Sequence, residues 1–142
     1  MNFTSQICTT KEQSERLLAL GLKKKTADCQ YAALVVDWKG NPISNPKWRF
    51  YDHNKGFIVQ NFERIERIPA WSLHRLIEMM PSFIDIGEHN YMFSIIQGKL
   101  FSYGSDIAGN AFLYGKGSVY ESAIYTIEWL IKEGYFNKEY LE

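Results

Sequence analysis

The sequence predicts an α+β fold, an antiparallel sheet of about five to six short strands packed by three helices. Three observations carry that expectation. Helix-start signatures recur near both ends of the chain, at Thr10 with Gln13 and at Ser118 with Glu121. Between them, short runs of β-branched and aromatic residues alternate with turn residues. The order is helix, strands, helix, strands, helix, which fits neither a bundle nor a βαβ repeat.

The first helix is read over 10–20. Thr10 and Gln13 make a capping box, Glu12 and Glu15 suit the positive end of the helix dipole, and Gly21 stops it. Tyr31 to Trp38 then reads as a strand. The segment K-G-N-P-I-S-N-P over 39–46 is the densest turn chemistry in the chain and reads as a loop. Two strands, Trp48–Tyr51 and Phe57–Phe62, follow as a hairpin or meander, separated by D-H-N-K-G.

A second helix is read over 69–80, with Pro69 in its first turn or, in a shorter form, with Ser72 capping a helix from Leu73. Pro81 ends it in either case. Its apolar stripe is Leu73, Leu76, Ile77 and Met80, which leaves His74, Arg75 and Glu78 outward. Trp71 is placed to staple onto the aliphatic stem of Arg75. Strands Tyr91–Ile96 and Leu100–Tyr103 flank Q-G-K as a hairpin, and Asn110–Tyr114 adds another. The last helix, 118–133, places Tyr120, Ala123, Ile124, Ile127, Leu130 and Ile131 on one face and stops at Gly134.

The 142 residues fit one domain, 1–142, and 46% hydrophobic with 15% aromatic content argues for a packed core. Sixteen basic residues balance sixteen acidic ones, which removes the broad field that non-specific nucleic-acid or anionic-membrane binding uses. Two cysteines, Cys8 and Cys29, lack CxxC spacing and read as free thiols of a reducing compartment, although the sequence does not fix whether they pair. The N-terminal residues lack a basic and an apolar region of a secretory signal, and no apolar run reaches the roughly 18 residues of a membrane helix. The expected location is cytoplasmic.

Chemistry is sparse. His74 and Glu78 share a helical face at i, i+4, but a metal needs more ligands, and His53 and His89 sit in turn-like sequence. Gly115, Lys116, Gly117 and Ser118 lead into the last helix and form a candidate anion or phosphate site. They are not a P-loop. Asn110 stands where that motif needs glycine, and Gly117 intervenes between the lysine and the serine. No G-x-S-x-G elbow exists, neither cysteine has a nearby histidine, and acid pairs such as Asp85 with Glu88 carry no information without spatial separation. No catalytic residue, cofactor or metal is therefore assigned. A second candidate is a basic and aromatic surface formed by Lys47, Trp48, Arg49, Arg64 and Arg67, with the lysine run 23–25 in addition. Alternation puts Trp48 and Phe50 on one face of a strand and Arg49 and Tyr51 on the other.

T-K-E-Q-S-E-R-L-L-A-L-G-L at 10–22, T-A-D at 26–28, P-A-W-S-L at 69–73 and W-L at 129–130 together resemble a family. It consists of small uncharacterised proteins of gut-type anaerobic bacteria, often encoded on prophages or other mobile elements. The resemblance implies a phage or mobile-element setting and a single small domain, and it supplies no activity to transfer. High aromatic content without a polar constellation points to a non-enzymatic protein-interaction module, binding a protein partner or itself. The alternatives are a nucleic-acid-associated accessory protein and a small-ligand or anion-binding protein.

Overall fold

The computed structural model describes residues 5–52 and 64–142. Along these residues run α1 (Lys11–Ala19), β1 (Cys29–Leu34), β2 (Arg49–Asp52), β3 (Ile65–Ala70), α2 (Leu73–Glu78), β4 (Phe83–Ile86), β5 (His89–Ile96), β6 (Leu100–Ser105), β7 (Gly109–Tyr114) and α3 (Val119–Glu133). The α+β class holds. The strands, however, form two antiparallel sheets rather than one, ordered β2–β1–β3 and β4–β5–β6–β7.

Both predicted helix starts are present, and they differ in detail. At α1 the capping box is complete: Thr10 Oγ1 accepts from Gln13 N at 3.2 Å, and Gln13 Oε1 accepts from Thr10 N at 3.0 Å. At α3, Ser118 Oγ accepts from Glu121 N at 3.2 Å. The Glu121 carboxylate instead accepts from Gln13 Nε2 and Arg16 Nη1 of α1, each at 2.8 Å. The second capping pattern is thus a cap plus a clamp between helices.

The helix α3 lies on the inner face of the larger sheet. Ala123, Ile124, Ile127 and Leu130 are fully buried, and Trp129 stacks on Phe112 at 4.7 Å between centroids, with Tyr103 at 6.0 Å. Gly134 takes a positive φ of 81° at the helix end, the conformation that a C-terminal glycine permits. The hairpin β5–β6 turns through Gln97 and Gly98, both at positive φ, as the Q-G-K segment predicts.

Three sequence expectations are corrected around residue 70. The second helix does not span 69–80: Pro69 and Ala70 belong to β3, and the shorter form holds, with Ser72 capping a helix that begins at Leu73. Proline fits there because β3 is an edge strand, where a missing donor costs no ladder bond on the open side. Trp71 does not staple onto Arg75. It is fully buried, and its indole Nε1 donates to Thr26 Oγ1 at 3.0 Å. Nor does Arg75 face outward, since its Nε donates to the Thr26 carbonyl at 2.8 Å. His74 and Glu78 do lie outside, 3.0 Å apart, with the histidine side chain 82% exposed.

Strands β3 and β4 are not anticipated by the sequence reading, and the strand at Phe57–Phe62 lies outside the described residues. Strand β1 starts at Cys29 and ends at Leu34, short of the predicted Trp38. Cys8 and Cys29, expected as free thiols, are buried and paired with each other, joining the segment before α1 to the start of β1.

The Thr26 hydroxyl accepts from the Trp71 indole and donates to the Lys23 carbonyl at 2.7 Å. Thr26→Val leaves the buried indole N–H without a partner, so it is expected to cost about 1–3 kcal/mol. Thr26→Ser should lose much less. Urea unfolding followed by tryptophan fluorescence measures both, and equal midpoints for valine and wild type would remove Thr26 from the fold's support.

Candidate functional site

The smaller sheet has two unlike faces, fixed by its register. Directly paired residues of antiparallel strands share a face. One face carries Tyr31 opposite Phe50 and Ile68, and Cys29 opposite Ala70. Tyr31 and Phe50 meet edge to face at 5.7 Å, and the Tyr31 hydroxyl donates to the Thr9 carbonyl at 2.9 Å. This side is closed by the segment leading into α1.

Among the described residues the other face is open. Across it run the rows Tyr51–Gln30–Pro69 and Arg49–Ala32–Arg67, followed by Leu34–Ile65. The connection from β1 to β2 leaves the sheet after Leu34 and returns at Arg49, so Ile43, Asn45 and Lys47 stand beside that face. The result is a groove of about 490 Å3, floored by Ala32, Leu34 and Ile65 and edged by Lys47, Arg49 and Tyr51. A smaller depression of about 160 Å3 lies on the same face, between Gln30, Pro69, Arg67 and Lys24.

Charge is sorted within this groove. Lys24, Lys47, Arg49 and Arg67 line the two depressions, and among the described residues no aspartate or glutamate does. Lys47 and Arg49 make no ion pair among the described residues. A chain of zero net charge therefore carries a local excess of cations beside an apolar floor.

The structure divides the predicted basic and aromatic surface. Lys47, Arg49 and Arg67 are brought together on the open face. Trp48 is not part of it; the Lys11 ammonium of α1 sits 4.6 Å from its ring centroid. Arg64 is exposed just before β3 and does not line the groove. Of the lysine run, Lys23 holds the C-terminal segment through a bond from Nζ to the Glu139 carbonyl at 3.1 Å, while Lys24 reaches the groove. Trp48 and Phe50 lie off the open face, and Tyr51 is the aromatic residue on its described lining.

The residues at 115–118 have structural tasks. A Cβ on Gly115 would come within 2.5 Å of Leu100 Cδ1, Gly117 has a φ of 77°, and Ser118 caps α3. The Glu121 carboxylate already stands in the first turn, where it complements the helix dipole. Lys116 is exposed. No group of three or more metal-ligating side chains gathers among the described residues. No described helix is long and apolar enough to cross a membrane. The open face was not legible before the fold because it depends on the strand register and on how 35–48 returns. The alternation Lys47, Arg49, Tyr51 was its one signal.

No family model, curated protein or solved structure matches the chain.

The Glu121 clamp has a pH signature. Hydrogen bonds from Gln13 and then Arg16 hold its carboxyl below the ordinary value. A depressed folded pKa stabilises the fold above the unfolded value, about 4.3, and that contribution disappears as pH falls through the folded pKa. Glu121→Gln should therefore be less stable than wild type at neutral pH and should lose less stability on acidification below about pH 4.3. Thermal melts between neutral and acid pH check it, and parallel curves would refute it.

Proposed function

We propose that this chain is a non-enzymatic binding module whose open β2–β1–β3 face receives an acidic, partly apolar segment of a partner protein. The observation that carries the reading is the groove, with four cations and no acid on its described lining and apolar residues on its floor. Apolar surface supplies affinity, and the flanking cations supply choice of partner and encounter rate. Strand β1 is six residues long, so the groove follows roughly 20 Å of extended chain. That shape suits an extended peptide better than a compact ligand. On the resemblance alone, we place the module in a phage or mobile-element setting.

Residues suited to general acid–base or nucleophilic work do not converge in the groove, whose described lining holds neither histidine nor carboxylate. A nucleic acid would use the same cations through its phosphates, and the experiment therefore includes one.

The amides of isotopically labelled protein are followed while an acetylated hexapeptide of alternating Glu and Leu is added to millimolar concentration. Parallel titrations use its Lys–Leu counterpart and a thymidine oligonucleotide. Shifts at Ala32, Leu34 and Arg49 with the acidic peptide alone are expected, and a Lys47→Glu, Arg49→Glu double variant should lose them. An unmoved groove, equal shifts with the basic peptide, or stronger shifts with the oligonucleotide would overturn the proposal.

A further inference from the structure

Four tryptophans occur in the sequence, and three have evident packing roles. Trp71 is buried against Thr26, Trp129 stacks on Phe112, and Trp48 lies under Lys11. Trp38 is different. It is 74% exposed, at the tip of the loop that leaves β1 beside the groove.

That loop is built rather than loose. Asp37 Oδ1 accepts from Lys39 N at 2.8 Å and from Asn41 N at 2.9 Å, and Asp37 N donates to the Asn41 carbonyl at 2.9 Å. Gly40 takes a φ of 87°, which a side chain would disfavour. At the base, Ile43 N donates to the Val35 carbonyl at 2.8 Å. Ile43 and the neighbouring Leu34 both line the groove, so the loop and the site share a wall. The Lys39 ammonium stands 4.8 Å from the Trp38 ring centroid, which pairs a cation with the indole at the tip.

A large aromatic held in solvent by an ordered loop loses little conformational freedom when it is covered. Tryptophan beside a cation, at the tip of a loop whose base lines an apolar groove, is the composition of an interface anchor. We propose that Trp38 is this anchor: its indole covers an apolar residue of the acidic segment, while Lys39, Lys47 and Arg49 face the segment's carboxylates. This rests on the groove reading above and adds the residue on which affinity depends. The exposed tip also has the chemistry of a lipid-interface contact, but the adjoining concave groove suits an extended peptide better than a bilayer surface.

The test uses the whole chain and the same Glu–Leu hexapeptide, with wild type, Trp38→Ala and the Lys47→Glu, Arg49→Glu variant compared. Trp38→Ala should weaken binding by about tenfold or more while the groove amides still shift in the same pattern at saturation. Wild-type affinity in Trp38→Ala would overturn the anchor and leave the groove reading standing. Absence of binding in wild type, or no effect of the double variant, would overturn both. Vesicles of phosphatidylcholine with phosphatidylglycerol form the third arm. Co-sedimentation of wild type, lost in Trp38→Ala, would replace the peptide with a lipid surface and overturn the proposal.

Discussion

The fold depends on the burial of Trp71 at the junction where β3 passes into α2. Its backbone N–H donates to Thr9 Oγ1 at 3.0 Å, and its carbonyl accepts from Thr9 N at 2.9 Å. Its indole is held by Thr26, and the next residue, Ser72, is tied through its backbone N–H and its hydroxyl to the Asp28 carboxylate. Leu73 N donates to the Tyr120 hydroxyl at 3.2 Å, and Tyr120 in turn donates to the Ile7 carbonyl at 2.5 Å. Three consecutive residues, 71–73, thereby fasten three distant segments of chain, 7–9, 26–28 and the start of α3. Each polar group in the junction that loses contact with water has a protein partner, which is why so dense a knot can sit within an apolar core.

The same junction explains how a small three-stranded sheet keeps one face free. Three short strands would be marginal alone. Here β1 is fixed at its start by Asp28 and by the Cys8–Cys29 pairing, and β3 is fixed at its end by Ala70 and Trp71. The closed face supplies the packing through Tyr31, Phe50 and Ala70. The opposite face need contribute little to stability, so it can carry small residues, cations and a loop. Packing and the cationic groove are thus placed on opposite sides of the same strands.

Much of the architecture was legible because local rules and tertiary packing agree. The apolar spacing of Ala123, Ile124, Ile127 and Leu130 and the Gly134 stop specify α3 in any context that offers an apolar surface. The hairpin at Gln97 and Gly98 is likewise written in its turn residues. Pro69 misled because proline serves both a first helical turn and an edge strand, and only the pairing with Gln30 decides between them. Ile84 and Ile86 of β4 are too short a pattern to stand out, and their strand exists because β5 offers an edge. The Cys8–Cys29 pair depends on a contact across 21 residues, and spacing alone does not encode such a contact. The groove was half visible: the alternation of Lys47, Arg49 and Tyr51 was present, but its placement beside Ala32 and Arg67 required the register.

Net charge proved a poor guide for a physical reason. A sum of sixteen positive and sixteen negative charges describes the far field and says nothing of separation over a few ångströms. Several acids are engaged elsewhere: Glu121 with Gln13 and Arg16, Glu78 with His74 and Arg75, Asp28 with Ser72, and Asp37 within its own loop. Each of these carboxylates answers a local need at a helix start, on a helix face or in a turn. Those needs leave Lys47 and Arg49 on the open face without an ion pair among the described residues. A cationic face of this kind requires no excess of basic residues, only a fold that occupies its acids in holding itself together.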